Sequence, residues 1–406
     1  MPVSSPYPLV SIDHALAAIL RHSPALGNER VPLIDALGRV LAVDLTAPAP
    51  VPPFPAAAKD GFAVIAADAA RLRRLAGEQM AGRAGHLRVE PGTVVRITTG
   101  AVIPAGADAV VMVEHTSETN GWVEIETTVS PGADIRPPGQ DIAAGERVLN
   151  QGAVLGPAEI GLLASVGLAD APVFRRPRVG VLSTGDELVE PGAALASGQI
   201  YDSNRFSLAA AVAQAGGVAR TYGIVADTPA ALAAFFESAL AENDVLVTSG
   251  GVSMGKLDLL KPLLEERGTV HFGRVIMKPG KPVTFATIAG KPVFSLPGFP
   301  VSALVSFELF VRPALRQMQG DAAWQRPRLQ VALAHDLQHD AHRTEYQRAR
   351  VFVEDGRFLA RTTGHQGSGR LLSMAGANAL LELTPGDDFL PAGAMTTALL
   401  LHPIGA

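Results

Sequence analysis

The sequence predicts a multidomain α/β and β protein whose centre is a doubly wound, mostly parallel sheet, and three observations carry that prediction. Between Arg178 and Gln319, short apolar runs alternate with stretches of helical spacing. The apolar runs end in hydroxyl-glycine turns, which in an open α/β sheet are the ends that bind ligands. On both sides of this segment the pattern changes to short strands between Gly, Pro and Asn turns, the mark of β-rich domains.

Taken in order, Ser11 caps a first helix with Ile12, Leu16, Ile19 and Leu20 on one face. Arg21 and His22 fall in its last turn, where the helix dipole favours positive charge. A second short helix is expected around residues 36–41. The run Ala47-Pro48-Ala49-Pro50-Val51-Pro52-Pro53-Phe54-Pro55 reads as an extended polyproline-type connector and a domain boundary. From Lys59 to Asp141 the expected elements are strands at 62–65, 94–98, 109–113 and 122–125, with Asn120-Gly121 as a hairpin turn. Residues 145–167 return to a turn and a helix, with Pro157 at a first helical position.

In the central segment a buried strand at 179–182 runs into Ser183-Thr184-Gly185-Asp186-Glu187. A helix at 202–216 stops at Gly216-Gly217 and a strand follows at 218–225. Thr228 caps the next helix, with Pro229 first and Leu232, Phe235, Phe236, Ala239 and Leu240 as its apolar stripe. A strand at 244–248 ends in Ser249-Gly250-Gly251-Val252-Ser253. Then come a helix at 257–267, the turn Met277-Lys278-Pro279-Gly280-Lys281-Pro282, strands at 283–288 and 293–296, and Leu296-Pro297-Gly298-Phe299-Pro300 opening a long apolar helix. Beyond Gly320, strands at 328–333, 348–352, 379–383 and 395–401 suit a small barrel or sandwich. Among them lies the polar, glycine-rich loop Gly364-His365-Gln366-Gly367-Ser368-Gly369-Arg370.

The whole-chain properties bound the function. A length of 406 residues allows two to four domains, and 48% hydrophobic residues supply their cores. A net charge of -5 with scattered Lys and Arg argues against a nucleic-acid partner. The absence of cysteine excludes disulfides, thiolate metal sites and cysteine nucleophiles. No apolar span reaches the ~18 residues of a membrane helix, and the first residues lack a leader's basic start and apolar core. The expectation is a cytoplasmic protein without membrane or nucleic-acid partners.

The polar loops suggest the chemistry. Hydroxyl-glycine turns after parallel strands expose backbone N–H groups suited to phosphate or another oxyanion. Asp60, Asp141, Asp186, Glu187, Asp227 and Asp258 offer hard oxygen ligands suited to magnesium rather than zinc. Together they imply metal-assisted phosphoryl chemistry on an anionic ligand. Each residue has a plainer alternative: Asp186 and Asp227 as helix caps, Asp60 as a turn residue, Lys278 and Lys281 as solvated lysines, Arg348 in cross-strand pairing. Gly250–Lys256 spells the front of a phosphate-binding P-loop, yet Leu257 follows where magnesium needs a hydroxyl, so the match is a coincidence. No G-x-G-x-x-G follows a strand, which leaves a nicotinamide dehydrogenase without support.

Nine segments in order, KDGFAV, RITTGAVIPAGADAVV, RPPGQDI, VGVLSTGDELVEPG, GQIYDSNRFSL, VTSGGVSMGKLD, MKPGKP, LPGFPVSA and QGSGRLLSMAGANAL, resemble the molybdopterin molybdenumtransferase family, which includes the C-terminal domain of gephyrin. The resemblance covers nearly the whole chain and implies four parts. These are an N-terminal helical and linker domain at 1–47 plus 142–176, a β-rich insertion at 48–141, an α/β molybdopterin-binding domain at 177–322 and a C-terminal β-barrel at 323–406.

It further implies a homodimer with the active site at the subunit interface. The reaction implied is insertion of molybdenum from molybdate into adenylylated molybdopterin with magnesium, releasing AMP. Expected partners are the upstream adenylyltransferase and molybdoenzyme-maturation proteins.

By the same resemblance Asp186, Glu187, Asp227 and Asp258 surround metal and nucleotide, with Glu187, Asp227 and Asp258 as the metal ligands. Asp60, Thr99 and Asp141 come from the second domain. Thr184, Gly185, Ser249, Gly250, Gly251, Ser253, Pro297 and Gly298 form the pterin and phosphate loops, and Lys278, Lys281, Arg136, Arg348 and Ser368 stand near molybdate.

Four positions depart from the family pattern: Lys59 for Met, Gln140 for Glu, Lys256 for Glu and Phe299 for Asn. Three of these make the site less negative. The alternative they raise is a catalytically weakened homologue that carries molybdopterin or docks a partner.

Overall fold

A computed structural model describes residues 7–83, 85–226, 228–251 and 260–404. The chain divides into two compact units, one of residues 30–37 and 43–171, the other of residues 1–29, 38–42 and 172–406. Each is described by itself.

The smaller unit is built on a six-stranded sheet in the order Ala109–Met112, Gly61–Val64, Thr93–Ile97, Leu72–Gln79, Trp122–Ile125, Thr116–Thr119. All neighbours are antiparallel except Leu72–Gln79 and Thr93–Ile97. Alternate residues feed two cores, Ala63, Val95 and Ile97 on one face and Phe62, Val64 and Val94 on the other. Burial on both faces explains why Gly61–Val64 reads as a continuous apolar run. Gly61 is fixed by contact, since a Cβ there would lie 1.9 Å from the Val111 carbonyl oxygen. Asn120 and Gly121 have φ of 52° and 79°, the left-handed pair that the expected hairpin turn requires.

In the larger unit the central sheet runs Val218–Val225, Arg178–Thr184, Val245–Ser249, Lys291–Leu296, Thr284–Ile288, Thr269–Phe272. The first four strands are mutually parallel and the last two antiparallel. Helices cover both faces: Leu208 and Val212 pack with Val179 and Val181, while Leu232, Phe236 and Leu264 pack with Leu182 and Leu246. The expected caps form, with Ser11 accepting from His14 N and Thr228 from Ala231 N. A helical segment runs from Pro300 to Met318 with a π turn at Phe307–Val311.

Five strands at the C-terminal end, Arg328–Leu333, Thr344–Glu354, Arg357–Thr362, Ala379–Leu383 and Met395–Leu400, pair in a closed ring, which makes this part a barrel. Met277–Lys278 pairs in parallel with Thr344 and Glu345, so the barrel continues the α/β part, and Tyr346 and Leu380 share its core.

The short helix expected at 36–41 does not form. A single 3-10 turn at Leu33–Asp35 is followed by Gly38 at φ +71°, and Leu41 pairs antiparallel with Val173. Val40, Leu41 and Ala42 are all buried in succession, a pattern that a one-sided helix cannot satisfy. Two strands absent from the sequence expectation, Leu72–Gln79 and Arg357–Thr362, are present.

Candidate functional site

In the larger unit, three parallel strands end level with one another. Ser183 is in register with Ser249, and Ser249 with Leu296, so the turns at Thr184-Gly185, Ser249-Gly250-Gly251 and Pro297-Gly298 leave the sheet along one edge. Their backbones pack closely. Gly250 has φ +94°, and a Cβ on it would lie 2.3 Å from the Thr184 carbonyl oxygen. A Cβ on Gly298 would come within 3.7 Å of Gly250 Cα. Side chains at these positions would fill the space where backbone N–H groups can face an anion. The buried Thr184 hydroxyl has no hydrogen-bond partner among the described residues.

The helix Asn204–Gln214 fixes these turns from the side. Asn204 Nδ2 donates to Ser249 Oγ at 2.6 Å and to the Gly298 carbonyl at 2.7 Å, and Ser249 Oγ donates to the Pro297 carbonyl at 3.4 Å. Asp202, only 1% exposed, accepts from Ser183 Oγ at 2.9 Å and from Arg205 N at 3.1 Å. Arg205 also pairs with Glu190. Asp202 and Asn204 are site-building residues that the sequence reading quoted without assigning a role. Both lie at a helix start, where Asp and Asn read as caps, and their partners are 19 and 45 residues away in sequence.

Asp186 and Glu187 are exposed in the turn after the first of these strands, and no helix starts there for Asp186 to cap. The Glu187 carboxylate folds back over Gly185, 2.6 Å from where a Cβ would stand. Asp227, Ser253 and Asp258 lie outside the described residues. Among the described residues no cluster of three or more metal-ligating side chains occurs.

The loop from Gly364 to Arg370 meets the Pro297–Pro300 turn: Val301 N donates to the Ser368 carbonyl at 3.0 Å, and Gly369 lies beside the Phe299 ring, 3.6 Å from it to a built Cβ. Phe299 itself is 65% exposed. Arg348 is wholly buried and holds this loop, donating from Nε to Ser373 Oγ at 3.1 Å and from a terminal nitrogen to the Gly367 carbonyl at 3.3 Å. Burial lowers its pKa to about 10, still far above neutrality. Lys278 Nζ donates to the buried carboxylate of Glu345 at 3.1 Å, and Glu345 also accepts from Asp340 N at 2.7 Å. Lys281 is exposed, and its carbonyl accepts from Val275 N at 2.9 Å.

The smaller unit gathers the remaining candidates around the two-residue strand Ala56–Ala57. Ala57 exchanges backbone hydrogen bonds with Gly100 and Ala101, and Ala56–Ala57 pairs with Ile135–Arg136. Asp60 accepts from Thr99 N at 2.6 Å and from Thr99 Oγ1 at 2.9 Å. The backbone hydrogen bond, then the hydroxyl, hold the Asp60 carboxyl below the usual range. Arg136 pairs with Asp141, and Lys59 stands exposed next to Asp60. Asp60 with Thr99, and Arg136 with Asp141, therefore flank one short strand.

Comparison with known proteins gives three family matches. Residues 10–167 match the MoeA N-terminal region (domain I and II), residues 180–317 a probable molybdopterin binding domain, and residues 330–401 the MoeA C-terminal region (domain IV). The chain is 39% identical to a gephyrin of Dictyostelium discoideum over 98% of its own length, spanning 63% of that protein's length. It is 37% identical to a molybdopterin molybdenumtransferase of Haemophilus influenzae, covering 92% of this chain and 94% of the relative. A molybdopterin molybdenumtransferase 2 of Mycobacterium tuberculosis is 40% identical over 87% of this chain and 90% of its own. A solved molybdopterin biosynthesis moeA protein from Pyrococcus horikoshii superposes with a TM-score of 0.85 at 33% identity, covering 98% of this chain and all of that one.

Proposed function

This chain belongs to the molybdopterin molybdenumtransferase family of molybdenum cofactor biosynthesis, and from that membership we propose that it inserts molybdenum from molybdate into adenylylated molybdopterin, releasing AMP. The observation that carries this reading is the level edge of three parallel strands, where Thr184-Gly185, Ser249-Gly250-Gly251 and Pro297-Gly298 form a glycine-lined cradle for a phosphorylated ligand. Asn204 and Asp202 position that cradle without occupying it.

In this account Asp186, Glu187, Asp227 and Asp258 surround metal and nucleotide, and Ser253 joins the pterin and phosphate loops. The exposed Glu187 carboxylate is a hard oxygen donor of the kind magnesium takes; with Asp227 and Asp258 it would hold the ion. Bound there, magnesium would neutralise phosphate charge and polarise the phosphoryl group. Lys278, Lys281 and Ser368 supply charge and a hydroxyl to molybdate, and Arg348, being buried, holds the Ser368 loop in place.

Asp60, Thr99, Asp141 and Arg136 complete the site from a second copy of the chain, so the working protein is a homodimer. Its four parts are 1–47 with 142–176, 48–141, 177–322 and 323–406. The setting is cytoplasmic, with the upstream adenylyltransferase and molybdoenzyme-maturation proteins as partners; no helix among the described residues is long and apolar enough to cross a membrane.

The direct test of the cradle is binding of adenylylated molybdopterin to the wild-type chain and to Ser249→Ala and Gly298→Ala. Loss of affinity in both supports it, and unchanged affinity in both places the ligand elsewhere. Phe299, exposed where the family has Asn, favours a second reading, a carrier that binds the pterin without turnover.

A further inference from the structure

The outer face of the barrel carries a charge arrangement that none of these roles uses. On the antiparallel strands Thr344–Glu354 and Arg357–Thr362, Arg350 stands directly opposite Arg361. Side chains so placed have Cβ atoms about 4.5–5.5 Å apart, and like charges there repel one another. Both arginines are exposed, and neither guanidinium has a carboxylate, carbonyl or ring partner among the described residues.

The same face of these two strands carries one carboxylate, Glu354. The next cross-strand pairs are Phe352 with Leu359 and Glu354 with Arg357. Glu354 is thus four residues along the strand, about 13 Å away in extended chain, and faces an arginine of its own. In the other direction, two residues back on the same face, stands Arg348, which adds a third positive charge beneath the Gly364–Arg370 loop. Arg350 and Arg361 line a cavity of about 600 Å³ with Phe352, Val353, Glu354, Thr362, Thr363 and Gly376. The two hydroxyls there are already engaged, Thr362 Oγ1 with His335 Nε2 at 3.2 Å and Thr363 Oγ1 with the Ser373 carbonyl at 2.8 Å. The free side-chain donors of the cavity are therefore the two guanidinium forks, and with the single carboxylate of Glu354 the lining keeps a net positive charge.

We propose that the Arg350–Arg361 pair is a binding site for a tetrahedral oxyanion, bridged between the two guanidinium groups beside the Gly364–Arg370 loop. Two planar forks carried on directly opposed residues of adjacent strands suit the paired oxygens of a phosphate-like dianion, and the ligand removes the repulsion that the register imposes. The ligand is either a free inorganic oxyanion or the phosphate of a nucleotide monoester, and the cavity is large enough for both. The inference is independent of the strand-edge cradle, which uses other residues.

The experiment is calorimetric titration of the full chain with inorganic phosphate and separately with AMP, at constant ionic strength against chloride. Alongside it, thermal unfolding is measured with and without phosphate. The wild type is expected to bind phosphate saturably, with a higher melting temperature than in chloride of equal ionic strength. Arg350→Gln and Arg361→Gln should each weaken binding at least tenfold. Arg361→Glu should raise the melting temperature without phosphate and abolish the phosphate response, because it supplies the missing counter-charge. AMP binding more tightly than phosphate, and losing that advantage in both Gln variants, identifies a phosphoester ligand. Equal or weaker AMP binding identifies a free oxyanion. A wild-type phosphate response no larger than that to chloride overturns the site, as does a response that survives in Arg350→Gln, Arg361→Gln and Arg361→Glu.

Discussion

Asn204 Nδ2 lies 2.6 Å from Ser249 Oγ, a hydrogen bond that joins the start of one helix to the end of a strand 45 residues on. The same nitrogen reaches the Gly298 carbonyl, so one amide ties two of the three turns that make the cradle. Asn204→Ala would leave a buried hydroxyl and a carbonyl without that donor. A loss of about 1–3 kcal/mol in stability is expected, read from the denaturant midpoint, together with weaker binding of the adenylylated pterin. Unchanged binding in the folded variant would show that the turns hold their geometry without it.

Gly250 and Gly298 separate strain from occupancy. At Gly250 the backbone is left-handed and a Cβ would press on the Thr184 carbonyl at 2.3 Å, so Gly250→Ala should lower stability by about 1–3 kcal/mol and abolish binding. At Gly298 the nearest atom to a Cβ is 3.7 Å away. Gly298→Ala should therefore leave the melting temperature within a degree or two and still reduce ligand affinity. Equal melting losses in the two variants would contradict this.

Arg348 is predicted to act as a clamp on the Gly364–Arg370 loop. Lysine cannot reproduce its planar fork, so Arg348→Lys should cost about 1–3 kcal/mol and speed amide exchange from Gly367 to Arg370. Exchange in that loop at the wild-type rate would assign the arginine no such part.

The Asp60 carboxyl titrates below the ordinary aspartate range because Thr99 donates to it twice. A folded-state pKa depressed in this way gives a contribution present above the unfolded pKa of 3.8 and lost as pH falls through the folded value. Thr99→Val removes the hydroxyl bond and keeps the stronger backbone one. Carboxyl NMR titration should show the Asp60 midpoint rising part of the way towards 3.8 and not reaching it.

The sequence was most legible where local rules and tertiary packing agree. The helix Pro229–Glu242 has its Thr228 cap, its first-position proline and its apolar stripe, and the Asn120-Gly121 turn has one of the few pairs of residues that tolerate its φ values. It was least legible where burial involves charge. The strand Leu72–Gln79 has Arg73 at 3% exposure, satisfied by the carbonyls of Ile65, Asp68 and Ala70, so its hydrophobic alternation is masked. Arg348 invited the reading of cross-strand charge pairing and proves to be buried, with its hydrogen bonds going to Ser373 and Gly367. The cradle's glycines could be found by position, whereas Asp202 and Asn204 act through partners that only the fold brings near.

The central claim is tested most directly by single-turnover release of AMP from adenylylated molybdopterin, with magnesium present and molybdate either added or withheld. The account predicts release that depends on molybdate and is lost in Gly250→Ala. Tight binding of the adenylylated pterin with no AMP released under either condition would contradict it and make the chain a carrier.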